Sequence, residues 1–276
     1  MSGKFHSILI ASDMDGTFLK KRGGVSPRNV ERLNYFKANG GSFTFATGRS
    51  VSQLLQAVPN AGELCNAPAI TCNGASLYDL TAGKELCRYL IDPAMAEEIY
   101  DFVAACGDPV GIRVGTDGEF FYSALNNPYI REDARIWGRG EGSVLPVEKW
   151  RELSIYKLAL RADGEVLAAL RPRLEEKFAH RLSITQSVDT LLDIQTAGRT
   201  KAVLLAEFVK SYFDRPMTLC AVGDYDNDLE MLSVADLPCC PSNALDSVKA
   251  VCKKVFCSCD EGAIADLVDY LDTLHG

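Results

Sequence analysis

The chain has 276 residues, of which 47% are hydrophobic and 24% charged, so one large or two modest globular domains can enclose a sizeable core. The formal net charge of −8 argues against binding along nucleic acid or an anionic membrane. Because no run of about 18 apolar residues is present, no membrane-spanning helix is predicted and we expect a cytoplasmic protein.

Ten cysteines are scattered along the chain, and none forms a Cys-x-x-Cys pair, the spacing typical of zinc sites and redox motifs. The nearest pairs, Cys239 with Cys240 and Cys257 with Cys259, have no second pair at zinc-finger spacing. We therefore expect reduced thiols that pack as small hydrophobic side chains.

The first part of the chain alternates between strand and helix patterns. Apolar strands are predicted at 5–11, 42–46 and 69–72, and helices after Ser26 and from Val51. This β-α-β-α-β order is typical of a doubly wound, mostly parallel sheet. In such sheets the functional residues gather at the carboxyl ends of the strands.

The pattern changes near residue 83. Further strands are predicted at 86–91, 110–114, 119–123, 155–160, 182–186 and 190–194, and helices at 93–106 and 165–179. Residues 126–146 are interpreted as a loop-rich stretch, in which Arg131, Arg135 and Arg139 could form a basic helical stripe or a solvated face. Strands that follow one another favour an inserted α+β domain with an antiparallel sheet.

After Gly198 the first pattern returns. A helix is predicted from Thr200 and Lys201, strands at 217–222 and 255–257, and a last helix that presents Ile264, Leu267, Val268 and Leu271 on one face. The predicted fold is therefore α/β: a doubly wound, mostly parallel, Rossmann-like core with an inserted α+β cap domain. The core is assigned to residues 1–82 and 191–276, and the cap to residues 83–190.

Two acidic clusters each follow a predicted strand. Asp13 and Asp15 follow the first strand, and the second cluster comprises Asp224, Asp226, Asn227 and Asp228. In a parallel sheet both clusters lie at one edge, where their carboxylates repel unless a hard cation neutralises them. Oxygen ligands favour Mg²⁺ over zinc. The second cluster could instead simply cap a helix.

Two possible phosphate donors end other elements at the same edge. The hydroxyl of Thr47 and the ammonium of Lys201 suit the oxygens of a phosphoryl group. Taken alone, Thr47 could be a helix N-cap and Lys201 a surface lysine. Arg49 could contact substrate or lie on the surface.

These residues together suggest a phosphoryl-transfer mechanism. Asp13 attacks phosphorus and forms an aspartyl-phosphate. Asp15 gives a proton to the leaving oxygen and later takes one from water. The metal, Thr47 and Lys201 offset the charge on the transferring group.

The second acidic cluster has two predicted roles. Asp224 holds the metal. Asn227 and Asp228 orient metal-bound water, the Thr47 loop or the Lys201 ammonium.

The same segments resemble the motifs of the haloacid dehalogenase-like phosphatases. In chain order they are Asp13-Met14-Asp15-Gly16-Thr17, Ala46-Thr47-Gly48-Arg49, Lys201 and Gly223-Asp224-Tyr225-Asp226-Asn227-Asp228. Further segments are similar to the Cof-type subfamily (IIB), whose α+β cap lies between the second and third motifs. These segments are Cys72-Asn73-Gly74-Ala75, Pro241-Ser242-Asn243-Ala244 and Asp260-Glu261-Gly262.

The resemblance implies Mg²⁺ bound by the Asp13 side chain, the Asp15 backbone carbonyl and Asp224, and we add Asp228 as a candidate ligand. The predicted catalytic residues are Asp13, Asp15, Thr47 and Lys201. The predicted phosphate-binding residues are Thr47, Gly48, Arg49, Lys201 and Asn227. The cap is expected to select the substrate and to close over it.

The predicted activity is hydrolysis of small phosphorylated metabolites, either sugar phosphates or phosphorylated cofactors, by a monomer or homodimer without nucleic-acid or membrane partners. A phosphomutase of the same superfamily stays open as an alternative. A haloacid dehalogenase needs neither Asp15 nor Asp224, so their presence argues against it. A non-catalytic protein that binds phosphate ligands is disfavoured because Asp13 and Lys201 are both present.

Overall fold

The computed structural model describes residues 3–116, 118–178 and 180–275. The chain divides into two compact units, one containing the residues up to Cys87 together with those from Thr200 onward, the other Arg88–Arg199. Each unit has its own buried hydrophobic cluster.

The strands are β1 (Ile8–Ser12), β2 (Ser42–Phe45), β3 (Ala69–Thr71), β4 (Ser76–Asp79), β5 (Lys84–Arg88), β6 (Gly111–Gly115), β7 (Phe120–Tyr122), β8 (Lys157–Arg161), β9 (Leu182–Val188), β10 (Leu191–Thr196), β11 (Thr218–Val222), β12 (Leu237–Pro241) and β13 (Lys254–Phe256). The α-helices are α1 (Pro27–Ala38), α2 (Val51–Ala57), α3 (Ala61–Leu64), α4 (Pro93–Ala105), α5 (Pro128–Ile136), α6 (Gly164–Phe178), α7 (Lys201–Tyr212), α8 (Leu229–Ser233), α9 (Asp246–Val251) and α10 (Ala263–His275).

The larger unit is built on a parallel sheet with strand order β13-β12-β11-β1-β2. Every residue of β1 and β2 is buried. Burial on both faces explains the apolar run in β1, whereas β2 alternates phenylalanines with the buried polar residues Ser42 and Thr44. Helix α1 begins with Pro27 after Ser26, as predicted. The predicted doubly wound, mostly parallel fold is confirmed.

A second, antiparallel sheet of this unit, β3-β4-β5, departs from the prediction. The predicted third parallel strand contacts β2 through a parallel bridge between Ala46 and Ile70, but its ladder is the antiparallel one with β4. The strand predicted at 86–91 is β5, which begins at Lys84 and ends at Arg88. Its exposed residues, Lys84, Leu86 and Arg88, alternate with half-buried ones, so no apolar run marks the hairpin in the sequence.

The smaller unit is a two-layer α+β structure, as predicted. Its antiparallel sheet has the order β7-β6-β8-β10-β9. Alternate apolar residues of this sheet join the α4 and α6 side chains in the core of the unit. The unit boundaries fall after Cys87 and Arg199 rather than after residues 82 and 190. The second boundary moves because β10 pairs on both sides within this sheet.

The stretch predicted as loop at 126–146 contains helix α5. Asn127 caps α5 by accepting the N–H of Ile130. No basic stripe forms, because Arg135 pairs with Glu132 and Arg139 lies beyond the helix end. Between the strands predicted at 110–114 and 119–123, Asp117 lies outside the described residues.

Two elements near the C-terminus were not predicted, β12 and α9. Cys239 and Cys240 of β12 are buried, as is Cys220 of β11, which agrees with thiols that pack as small hydrophobic groups. Within the described parts of the chain, no helix combines the length and apolar character needed to cross a bilayer.

Candidate active site

The carboxyl edge of the parallel sheet carries both acidic clusters. Strands β1 and β11 are neighbours that end at Ser12 and Val222. The N–H of Asp13 donates to the carbonyl of Val222 over 2.9 Å and so joins the two loops directly after the strands. As a result, one carboxylate oxygen each from Asp13, Asp224 and Asp228 lies within 4.8 Å of the others.

Lys201 reaches this cluster from the first turn of α7. The preceding residue, Thr200, caps the helix by accepting the N–H of Val203. The Lys201 ammonium donates to Oδ1 of Asp13 and to Oδ1 of Asp228, both over 2.7 Å. The lysine is only 3% exposed, so the surface-lysine interpretation is wrong.

The cluster is short of positive charge. Burial raises the pKa of Asp13 well above its ordinary value; Lys201 opposes this effect, and the charges of Asp228 and Asp224 add to it. Burial alone would lower the pKa of Lys201, but Asp13 and Asp228 outweigh burial and raise it. One ammonium therefore faces three buried or partly buried carboxylates.

Asp224 is positioned by the loop that follows β1. The hydroxyl of Thr17 donates to Oδ1 of Asp224 over 2.7 Å. Gly16 has φ +76°, and a Cβ at this position would lie 2.3 Å from Oδ2 of Asp224, so a glycine is required here. Burial raises the pKa of Asp224 to about 7, against the effect of the Thr17 hydrogen bond.

Asp228 organises the second acidic loop. Its Oδ2 accepts the N–H of Asp224 over 3.0 Å and the N–H of Tyr225 over 3.3 Å, while Oδ1 accepts from Lys201. A Cβ on Gly223 would lie 2.4 Å from Cβ of Asp228, which explains the glycine before the cluster. Asp228 thus orients the loop and the ammonium together.

The Asp15 side chain is not one of the three clustered carboxylates and pairs with Arg49 instead. Arg49 donates to both its oxygens in a bidentate pair, from Nε to Oδ2 and from Nη2 to Oδ1, each over 2.7 Å. The side chain of Asp15 is 62% exposed and that of Arg49 is 20% exposed. Asp15 could therefore serve the metal only through its backbone carbonyl, as the family resemblance implies.

Thr47 is buried and is not a helix N-cap. Its N–H donates to the carbonyl of Ile70 and its hydroxyl accepts the N–H of Arg49. Helix α2 is capped by Ser50, whose side chain and that of Gln53 form a reciprocal capping box. The N-cap interpretation of Thr47 is therefore wrong.

Gly48 and Asn227 are the other two predicted phosphate-binding residues. A Cβ on Gly48 would lie 2.8 Å from Oδ1 of Asn73, so the backbone approaches that side chain closely. Asn227 lies half-buried in the 3₁₀ turn Asp226–Asp228, beside the acidic cluster in sequence.

A strained segment after β3 was not predicted to be part of the site. Cys72 and Asn73 have φ of +50° and +55°, which is unusual for residues other than glycine. The N–H of Cys72 donates to the carbonyl of Arg49 and that of Asn73 to the carbonyl of Thr47. A Cβ on Gly74 would lie 2.3 Å from the carbonyl oxygen of Thr200. The segment thus supports both the Thr47 loop and the start of α7. The Asn-Gly pair was the available signal.

The sequence as a whole decides the family. Residues 10–268 match the family described as haloacid dehalogenase-like hydrolase. The chain belongs to this family.

Curated relatives of this family include phosphatases of known specificity. The 5-amino-6-(5-phospho-D-ribitylamino)uracil phosphatase YwtE of Bacillus subtilis is 25% identical and covers 95% of this chain and 97% of its own length. An HMP-PP phosphatase of Yersinia pseudotuberculosis is 28% identical, with 87% and 86% covered. The chloroplastic endoribonuclease YBEY of Arabidopsis thaliana is 23% identical over 94% of this chain, which spans only 45% of that protein.

Solved structures share the fold. A phosphatase of this superfamily from Bacteroides thetaiotaomicron superimposes with a TM-score of 0.82 at 22% identity, covering 97% of this chain and 96% of that one. A subclass IIB sugar phosphatase gives a TM-score of 0.80 at 17% identity, with 96% and 99% covered. The predicted family and subfamily are confirmed, and the predicted enzyme class, a phosphoric monoester hydrolase, agrees with them.

The residues present fit the divalent metal that the family implies. Three carboxylates lie close enough to share one ion. Burial raises the pKa of Asp224 and the negative charge of Asp228 adds to this effect, so a divalent cation at this position would offset both. Hard oxygen ligands of this kind suit Mg²⁺, which usually keeps several waters and takes one or two carboxylates. A metal here would be held by Asp13 and Asp224, with Asp228 bound to Lys201 and the loop.

Proposed function

We propose that this chain is a magnesium-dependent phosphatase that hydrolyses small phosphorylated metabolites through an aspartyl-phosphate on Asp13. The observation that carries the proposal is the position of Asp13: its carboxylate lies beside Asp224 and Asp228 and also accepts a hydrogen bond from Lys201. A nucleophile held between a metal site and an ammonium is what transfer of a phosphoryl group requires.

The chain's own residues account for each step. A carboxylate oxygen of Asp13 attacks phosphorus, and the bond from phosphorus to the leaving oxygen breaks. Lys201, which already donates to Asp13, and Thr47 bind the equatorial oxygens. Mg²⁺, when bound, supplies Lewis-acid stabilisation of the same charge. Water then hydrolyses the aspartyl-phosphate and regenerates Asp13.

Asp15 is proposed as the general acid and base. Its exposed carboxylate is held by Arg49 in a bidentate pair, so it must turn from this partner to protonate the leaving oxygen. Rotation of the Asp15 side chain would break its pair with Arg49 at little cost, because the pair is partly solvated. Arg49 would then be able to contact an anionic substrate.

The names of relatives suggest the substrate class. The names of two relatives specify 5-amino-6-(5-phospho-D-ribitylamino)uracil and HMP-PP as substrates, and one fold neighbour is a sugar phosphatase. We propose substrates of these kinds for this chain. Because all of the predicted site residues lie in the larger unit, we assign substrate selection to the smaller unit, Arg88–Arg199. A cytoplasmic location and a monomer or homodimer stay predictions.

A phosphate-release assay across a panel of sugar phosphates and phosphorylated cofactors tests the proposal. We expect turnover with Mg²⁺, loss of turnover with a chelator, and recovery when Mg²⁺ is restored. Asp13→Asn should abolish turnover because the amide is a poor nucleophile, whereas Asp214→Asn, a change at an 86% exposed carboxylate, should leave it unchanged. A chimera that carries the corresponding segment of YwtE in place of residues 88–199 should change the preferred substrate but not the need for Mg²⁺.

Each alternative predicts a different result. A phosphomutase would interconvert sugar phosphate isomers with little phosphate release, and a binding protein would do neither while still binding phosphorylated ligands. Turnover by Asp13→Asn at the wild-type rate, or full activity without metal, would reject the mechanism.

A further inference from the structure

Asn243 connects the loop after β1 to the segment that contains Cys259, although it is not among the site residues predicted from the sequence. It lies between β12 and α9. Its side-chain amide donates to the carbonyl of Gly16 over 2.8 Å, and its Oδ1 accepts the N–H of Cys259 over 2.9 Å. Both functions of one amide are therefore used, and the second bond fixes the direction of the first.

The Gly16 peptide borders the proposed metal site on both sides. It follows Asp15, whose carbonyl is a proposed ligand, and a Cβ on Gly16 would lie 2.3 Å from Oδ2 of Asp224, so the backbone approaches that carboxylate closely. Glycine has no side chain to restrict its backbone, so a hydrogen bond from outside the loop restricts the turn beyond the bonds within it. Asn243 supplies such a bond.

The same short segment also holds the second loop. The N–H of Leu245 donates to the backbone carbonyl of Asp224 over 3.0 Å. The segment from Asn243 to Leu245 therefore contacts the loop after β1 through a side chain and the loop after β11 through the backbone.

We propose that Asn243 is a positioning residue that holds the Gly16 turn against Asp224 and so sets the spacing of the metal ligands. The proposal rests on the metal site of the proposed function and adds a residue to it. Outer residues that orient metal ligands typically change metal affinity 10- to 100-fold when they are replaced. A residue with only a structural role would change stability without changing affinity.

Asn66 offers a matched control. It makes the same pair of hydrogen bonds, from its amide to the carbonyl of Gly41 and from the N–H of Phe43 to its Oδ1, at the amino end of β2. Asn66→Ala should therefore lower stability much as Asn243→Ala does, but at the opposite edge of the sheet.

Calorimetric titration with Mg²⁺ alone tests the proposal on the full chain. We expect Asn243→Ala to weaken Mg²⁺ binding about 10-fold and Asn66→Ala to leave it within twofold of wild type. Asn243→Asp keeps the acceptor for Cys259 but loses the donor to Gly16. Its added negative charge would attract Mg²⁺, so weaker binding in this variant would come from the lost attraction between residue 243 and the carbonyl of Gly16.

Three results would overturn the proposal: Mg²⁺ affinity within twofold of wild type in both Asn243 variants, no Mg²⁺ binding by the wild type, or unfolding of both Asn243 variants while Asn66→Ala stays folded. A phosphate-release assay on the wild type separates this proposal from the proposed function. A wild type that binds Mg²⁺ but releases no phosphate from the panel would reject the function and leave the role of Asn243 to be judged by the titrations.

Discussion

Lys201 illustrates what a single residue contributes to both stability and function. Its ammonium is buried and donates to two carboxylates that would otherwise repel each other. The sequence analysis predicts that Lys201, Asp13 and Asp228 lie close together. Each of them is placed near the end of a strand or the start of a helix at the same edge of the sheet. The pairing of Asp15 with Arg49 could not be predicted, since it depends on side-chain rotation rather than on the strand order.

Replacement of Lys201 should separate its effect on stability from its effect on phosphatase turnover. Lys201→Met leaves two buried carboxylates without their cation, so we expect unfolding free energy to fall by about 3–5 kcal/mol and phosphatase turnover to be lost. Mg²⁺ should recover part of the stability but not the turnover. Lys249→Met, which breaks an exposed pair with Asp246, should cost less than about 1 kcal/mol. Urea denaturation with and without Mg²⁺ measures these changes, and equal losses in the two variants would contradict the role of Lys201.

Elements were predicted where their periodicity was long and regular. Strand β12 is not predicted, because Pro238 and Pro241 are unusual in an interior strand. Pro238 has no N–H to donate, but its carbonyl still accepts a hydrogen bond from the N–H of Lys253. Helix α9 has six residues, too few to show an apolar face. Helix α5 was interpreted as loop because its buried residues include Asp133.

Helix α2 begins directly after the motif that contains Thr47, so the N-cap of α2 lies next to the site in sequence. Ser50 accepts the N–H of Gln53, and Ser50→Ala should lower the unfolding free energy by about 1 kcal/mol. Ser26 precedes α1 but makes no side-chain cap hydrogen bond, so Ser26→Ala should cost less. Chemical denaturation compares the two. A larger loss from Ser26→Ala would show that the Ser50 cap contributes little.

At the scale of the whole molecule, a core that is interrupted by an inserted domain could be predicted, because the β-α pattern returns after residue 198. The predicted boundary, between residues 190 and 191, comes before β10, whereas the smaller unit ends at Arg199. Only the pairing of β10 with β8 and β9 assigns it to the smaller unit. Local sequence patterns do not encode such long-range pairing.

The smaller unit contains a buried charge cluster around Asp133. Arg113 donates to both oxygens of this carboxylate, Arg161 donates to Oδ1 and the hydroxyl of Tyr122 donates to Oδ2. Burial alone would raise the pKa of Asp133, but the two arginines outweigh burial and hold it below its ordinary value. The stabilisation is therefore complete above the unfolded pKa of about 3.9 and is lost as the pH falls toward the folded pKa.

Replacement of Asp133 should therefore reduce both the stability and the acid sensitivity of the smaller unit. Asp133→Asn leaves two arginines without a counter-charge, and we expect a loss of about 3–5 kcal/mol at pH 7 together with a shallower fall in stability below about pH 4. Asp163 accepts from Tyr129 in the same way but is exposed, so Asp163→Asn should change little. Both tryptophans, Trp137 and Trp150, lie in this unit, so their fluorescence during urea denaturation reports its unfolding. An equally steep acid dependence in Asp133→Asn and wild type would show that other carboxylates control the acid stability of the unit.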